Sequence, residues 1–144
     1  MRPALRKSLR SELSGDPEYA QGYAEAHLET FMSAQIKVLR EQNGWSQAEL
    51  ASKIGVTERT LRRMESVNFA YSAWNIKTLI KLARAFRLRL RVSFETYGAL
   101  IQELDTMDRE NLERVPREAD KGLLSSPGSS ASRRNSSSRP SPSR

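Results

Sequence analysis

Residues 57–66 read TERTLRRMES, and they hold three arginines within five positions, Arg59, Arg62 and Arg63. A guanidinium is a planar fork of donors that matches guanine O6 and N7, or two phosphate oxygens. Glu58 can accept from cytosine N4, or it can pair with Arg62 four residues on. On a helical wheel that starts at Glu58, Arg62 falls at about 40°, Arg59 at about 100° and Arg63 at about 140°. Leu61 and Met64 fall at about 300° and 240°. The polar residues therefore share one face, and the apolar pair looks back towards a core. Arg59 and Arg63 suit base contact, and Arg62 suits a phosphate or the pair with Glu58.

Two short helices are needed to position that face. Ser46 and Glu49 form an S-x-x-E capping box, in which each side chain satisfies an orphan amide of the other's turn. It opens a helix over 47–54 that buries Leu50, Ala51 and Ile54. Gly55 ends that helix, where a turn favours positive φ. Val56 is a small apolar plug, and Thr57 caps the helix from Glu58 to about Ser66. Ala51 is small where the two helices approach. Gln47 and Thr57 stand at the two helix N-termini, where backbone amides and the helix dipole favour a phosphate oxygen. Two helices joined by such a turn are the pattern of a helix-turn-helix, whose second helix enters the DNA major groove.

Charge supports the same partner. The chain of 144 residues has a formal net charge of +7. Residues 37–91 hold twelve bases against four acids, whereas residues 11–30 hold five acids and no Lys or Arg. Residues 95–120 hold eight acids against three bases. The basic excess thus lies in the segment with the clearest helical pattern, which fits a polyanionic partner. Several classes are disfavoured. There is no cysteine, hence no disulfide framework or thiolate metal site. His27 is the only histidine and has no partner for a metal site, so an exposed helix position is expected for it. No phosphate-binding glycine loop or Ser/His/Asp constellation occurs, and an enzyme is not expected, nor any cofactor. The acidic cluster at 103–113 reads as a helical surface. No run approaches the roughly 18 apolar residues of a membrane helix, and the basic N-terminus lacks the apolar stretch of a secretory signal. A cytoplasmic, nucleoid-associated protein is expected.

The stretch SQAELASKIGVTERTLRRME resembles the Xre/Cro-repressor type of helix-turn-helix, common in phage repressors and in antitoxins. Gln47, Ala48, Leu50, Ala51, Gly55, Val56, Leu61 and Glu65 fall where that family has its usual types. The flanking segments look like a HigA-like subgroup of small regulators with a strand after the fourth core helix. The resemblance implies a mainly α, lambda-repressor-like bundle over roughly residues 31–86. It implies that Thr57, Glu58, Arg59 and Arg63 approach bases or adjacent phosphates, and that Gln47 and Thr60 help hold the DNA backbone. The chain departs from the family after Glu65, where it reads SVNFAYSAW in place of an early glycine.

Four segments are expected. Residues 1–15 form a mobile basic arm or a weak helix. Residues 16–94 are the DNA-binding domain, beginning with a helix that Asp16, Pro17 and Glu18 start and that runs to about Asn43, as one helix or as two broken near Glu29. Asn75 caps a fourth helix, with Trp74 and Leu79 as its hydrophobic staple. Trp45 and Trp74 read as core or staple residues. In RLRLRVSFE, Leu88, Leu90, Val92 and Phe94 alternate with polar residues, which predicts one short β-strand and a candidate dimer contact. Arg87, Arg89 and Arg91 either protect a strand edge or touch DNA. Residues 95–120 form an acidic helical extension. Residues 121–144 are a Ser/Arg/Pro-rich tail of disordered composition, with Ser132 next to Arg133 and Ser136 two residues after Arg134.

The expected function is sequence-specific regulation of transcription, as a repressor that binds double-stranded DNA as a homodimer, with half-sites about one helical turn apart. The alternative is an antitoxin that neutralises a toxin partner and autoregulates its operon.

Overall fold

The computed structural model describes residues 1–66 and 75–125. Eight α-helices are found among the described residues: α1 (Pro3–Gly15), α2 (Pro17–Gln42), α3 (Gln47–Ile54), α4 (Glu58–Met64), α5 (Ile76–Phe86), α6 (Tyr97–Glu103), α7 (Arg109–Leu112) and α8 (Lys121–Leu124).

Helix α2 is continuous for 26 residues, with no break near Glu29. The Asp16 carboxylate caps it, accepting from the amides of Glu18 at 3.0 Å and Tyr19 at 3.3 Å. Pro17 takes the first position, where its missing amide is not needed. This helix serves two cores. Its N-terminal half presents Ala20, Tyr23 and Ala24 to Leu9 and Leu13 of α1 and to Leu100 and Ile101 of α6. Its C-terminal half presents Ile36 and Leu39 to α3, α4 and α5. Ile36 lies about 160° and Leu39 about 100° round the helix from Ala20, so the two cores use different faces. Residues 1–15, expected as a mobile arm or weak helix, hold a helix whose Leu9 and Leu13 are buried. The recurrence of leucine every four residues finds its partners in α2 and in the distant α6.

The second core contains Leu50, Ala51, Ile54, Leu61, Met64, Leu82 and Phe86. Trp45 stacks on Phe86 with ring centroids 6.0 Å apart, and the Lys53 ammonium sits 4.6 Å above the Trp45 ring. The Asn75 side chain caps α5 through the Thr78 amide at 2.8 Å. Trp74, the expected staple residue, and most of the SVNFAYSAW loop lie outside the described residues.

The strand predicted at 88–94 is not formed. Residues 88–96 carry no helix or strand, and there is no β-strand among the described residues. A strand needs a neighbour for its hydrogen-bond ladder, and the surrounding elements are helical. The chain leaves α5 through Arg87 at φ 56, and the Leu88 amide donates to the Ala83 carbonyl in the helix cap. Leu88 packs against the core, while Val92 is 68% exposed and Phe94 fully exposed. Alternation of apolar side chains favours strand geometry, but it does not supply the missing partner.

Residues 97–118 then run back across α2. Leu112 is buried, and its carbonyl accepts from Gln35 Nε2 at 3.3 Å. The Gln42 amide clamps the Arg114 backbone from both sides, accepting from its N–H at 3.0 Å and donating to its carbonyl at 2.6 Å. Arg109 bridges to Glu41 at 2.7 Å. The Arg117 amide donates to the Arg87 carbonyl, and Glu118 pairs with the Arg87 guanidinium. That arginine of the expected strand is thus held by the acidic extension. The expected tail begins with the one-turn helix α8, and residues 126–144, with Ser132 and Ser136, lie outside the described residues.

Candidate nucleic-acid interface

The α3–α4 unit is built by its caps. Both halves of the capping box are present: the Glu49 amide donates to Ser46 Oγ at 3.1 Å, and the Ser46 amide donates to Glu49 Oε2 at 2.7 Å. Gly55 sits in the left-handed region at φ 72, and the Val56 amide closes the turn onto the Ala51 carbonyl at 3.0 Å. Thr57 Oγ1 accepts from the Thr60 amide at 3.1 Å and caps α4. Leu61 and Met64 are buried, which sets the roll of α4 and turns Thr57, Glu58, Arg59, Arg62 and Arg63 outwards. Of the residues expected at the site on α4 and its cap, all but Thr60 are therefore exposed.

Within that face, Arg62 Nη2 lies 3.2 Å from Glu58 Oε1. Glu58 is engaged along its own helix. Arg59 is exposed and forms no ion pair among the described residues. Thr60 is half-buried, with its hydroxyl 2.8 Å from that of Thr57.

Gln47 is placed differently. It stands at the first turn of α3, but its Nε2 donates to Glu65 Oε2 at 2.9 Å. Glu65 also accepts from Arg40, whose Nη1 donates to the Trp45 carbonyl at 2.8 Å. The Glu65 side chain is 4% exposed and that of Arg40 12% exposed. Arg40 thus joins the end of α2, the start of α3 and the end of α4. Its hydrogen bond to Glu65 holds its pKa above the ordinary arginine value. Arg40 was missed by the sequence reasoning. The available signal was the acidic Glu65 directly after the apolar Met64, since a buried carboxylate requires a cationic partner.

His27, expected to be exposed, is half-buried instead, with its ring 6.1 Å from Phe31 and Nε2 at 3.1 Å from Glu103. Phe31 lies one turn on in α2, whereas Glu103 comes from the distant α6, which local sequence does not reveal. No group of His, Cys, Asp and Glu among the described residues is arranged to hold a metal ion. No helix among the described residues is long and apolar enough to cross a membrane.

Residues 36–93 match the family model described as Helix-turn-helix, fewer than half of the residues of the chain. Over 37 residues the chain is 43% identical to Antitoxin HipB of Escherichia coli strain K12, covering 26% of this chain and 42% of that protein. It is equally similar over 37 residues to Antitoxin HipB of Escherichia coli O6:H1, of which it covers 39%. The chain thus spans less than half the length of these curated relatives. No solved structure matches the chain significantly. The matched span contains α3, the Gly55 turn, α4, α5 and the segment at 88–93, and it is a helix-turn-helix domain of the Xre type, a DNA-binding regulatory family and not an enzyme family.

Proposed function

We propose that this Xre-type helix-turn-helix domain, at residues 36–93, makes the chain a sequence-specific transcriptional repressor acting in the cytoplasm on double-stranded DNA. The observation that carries this reading is the outward face of α4, which Leu61 and Met64 orient and the α3 turn presents. Arg59 and Arg63 read base edges in the major groove. Thr57 meets a phosphate at the N-terminus of α4. Arg62 stays beside Glu58 and contributes through the backbone. Thr60 supports the Thr57 cap, and Gln47 acts by holding α3 to α4 through Glu65. Repression follows from occlusion, because a protein seated on an operator competes with polymerase.

One such domain reads only a few base pairs, so a homodimer is needed for useful specificity. Leu88, Leu90, Val92 and Phe94 are the contact we assign to it, on the exposure of Val92 and Phe94. The test is selection of bound sequences from a random duplex pool, followed by binding of Arg59→Ala and Arg63→Ala to the selected operator. Each variant should lose about 1–3 kcal/mol and relax the sequence preference at one position. Wild-type affinity and preference in both would refute the groove assignment.

The similarity to Antitoxin HipB favours a second reading, in which the chain neutralises a toxin and represses its own operon. A neighbouring gene that arrests growth alone, and not when expressed with this chain, would establish it. Absence of such a gene leaves the repressor reading in place.

A further inference from the structure

A groove of about 560 Å³ opens between the C-terminal end of α3 and the middle of α5, and Ser52, Lys53, Gly55, Lys81, Arg84 and Ala85 line it. None of the residues of the α4 face takes part in it. Lys81 and Arg84 are exposed and form no ion pair among the described residues. Lys53 is held above the Trp45 ring, which fixes the ammonium without neutralising it. Glu49, one turn before Lys53, is committed to the capping box. No carboxylate lines the groove, and residues 67–74 and 126–144 contain no Asp or Glu to approach it.

Lys77 extends the cluster. Counting about 100° per residue from Ile76, Lys77, Lys81 and Arg84 fall at about 100°, 140° and 80°, one basic ridge along α5. Three cations that converge on an open groove repel one another, and they favour an anion able to contact all of them. Ala85 is small, and nothing lies within 4 Å of where a Cβ on Gly55 would be, so an oxyanion can approach closely. The C-terminal partial charge of α3 opposes an anion, but it amounts to about half an elementary charge against three full ones.

We propose that the groove between α3 and α5 is a phosphate-binding site, separate from the major-groove face on α4. A phosphate group offers enough acceptor oxygens to engage Lys53, Lys81, Arg84 and the Ser52 hydroxyl together, where a carboxylate offers two oxygens. The phosphate comes either from a DNA backbone beyond the α4 footprint or from a free phosphorylated small molecule.

Amide shifts of Ser52, Gly55 and Ala85 test this on the full chain, with pyrophosphate and a non-operator duplex as probes, each against sodium chloride of equal ionic strength. Pyrophosphate should shift these amides saturably in the wild type. The response should vanish in Lys81→Gln/Arg84→Gln and survive in Lys81→Arg/Arg84→Lys. If the source is DNA, the duplex also shifts these amides, and the Gln pair lowers the slope of log affinity against log salt by about 2. If the source is a free phosphate group, the slope is unchanged while the pyrophosphate response is lost. Arg59→Ala/Arg63→Ala should retain that response, so failure of the α4 reading is distinguished from failure of this one. The proposal is overturned if neither probe exceeds the salt control, if the response persists in the Gln pair, or if polyglutamate shifts these amides and pyrophosphate does not.

Discussion

Arg40 Nε stands 2.6 Å from Glu65 Oε1, and Arg40 Nη2 stands 3.1 Å from Glu65 Oε2, so the end of α2 grips the end of α4 through a two-pronged pair. Both side chains are nearly buried. Gln47 uses the remaining capacity of the same carboxylate, which ties α3 into the junction. The pitch of α4 relative to α3 is therefore set by a polar contact as well as by Leu61 and Met64.

Glu65→Ala should destabilise the protein by about 3 kcal/mol, because it takes the two-pronged partner from a largely buried guanidinium and leaves it only the Trp45 carbonyl and Glu41 at 4.0 Å. Urea unfolding monitored by tryptophan fluorescence measures it. Gln47→Ala removes one hydrogen bond from the same carboxylate and should cost about 1 kcal/mol. It should also weaken binding to all DNA sequences alike, since its effect passes through helix placement. A sequence-dependent loss would show that Gln47 touches bases instead.

Glu58 and Arg62 are both exposed, so their 3.2 Å pair contributes at most about 0.5 kcal/mol to stability. Glu58→Gln should leave unfolding nearly unchanged. It removes a negative charge from the outward face of α4 and releases Arg62, so on the proposed reading affinity for any duplex should rise, most at low salt. Were Glu58 instead accepting from a cytosine, the variant would lose operator affinity selectively. Gel-shift titration with operator and scrambled duplex separates these outcomes.

Gly55 adopts φ 72 with open space around its Cα. Gly55→Ala therefore meets no clash, and its cost is the backbone conformation alone, about 1–2 kcal/mol for an L-residue. Gly22 offers an internal comparison. It also has open space and sits inside α2 with ordinary helical geometry, so Gly22→Ala should stabilise by about 0.5–1 kcal/mol. Thermal unfolding of the two variants should move in opposite directions.

Sequence was most informative where structure is local. The Asp16 cap, the Ser46–Glu49 box, the Gly55 turn and the Thr57 cap all involve residues within four positions, and each is present. The wheel of α4 was readable for the same reason, because helical spacing separates Leu61 and Met64 from the arginines. What sequence did not show depends on distant partners. Leu9 and Leu13 pack on the neighbouring α2, and the distant Leu100 and Ile101 of α6 complete their cover. The Arg40 contact spans 25 residues. The pattern at 88–94 misled for the converse reason: alternation describes one chain, whereas a ladder requires two.

The bridge from Arg109 to Glu41 gives the strap across α2 a pH dependence of definite sign. The hydrogen bond from Arg109 holds the Glu41 carboxyl below its ordinary pKa. A carboxyl depressed on folding contributes stability that is complete above its unfolded value, and that stability is lost as pH falls through the folded value. Glu41 should thus stay ionised below the ordinary glutamate range, with the contact released only under stronger acid. Carboxyl-detected NMR titration reads this directly, and the Arg114 amide, held by the neighbouring Gln42, should follow the same curve. Arg109→Gln should return Glu41 towards its ordinary value. A wild-type Glu41 that already titrates at the ordinary value, with no change in Arg109→Gln, would show that the strap does not depend on the Arg109–Glu41 pair.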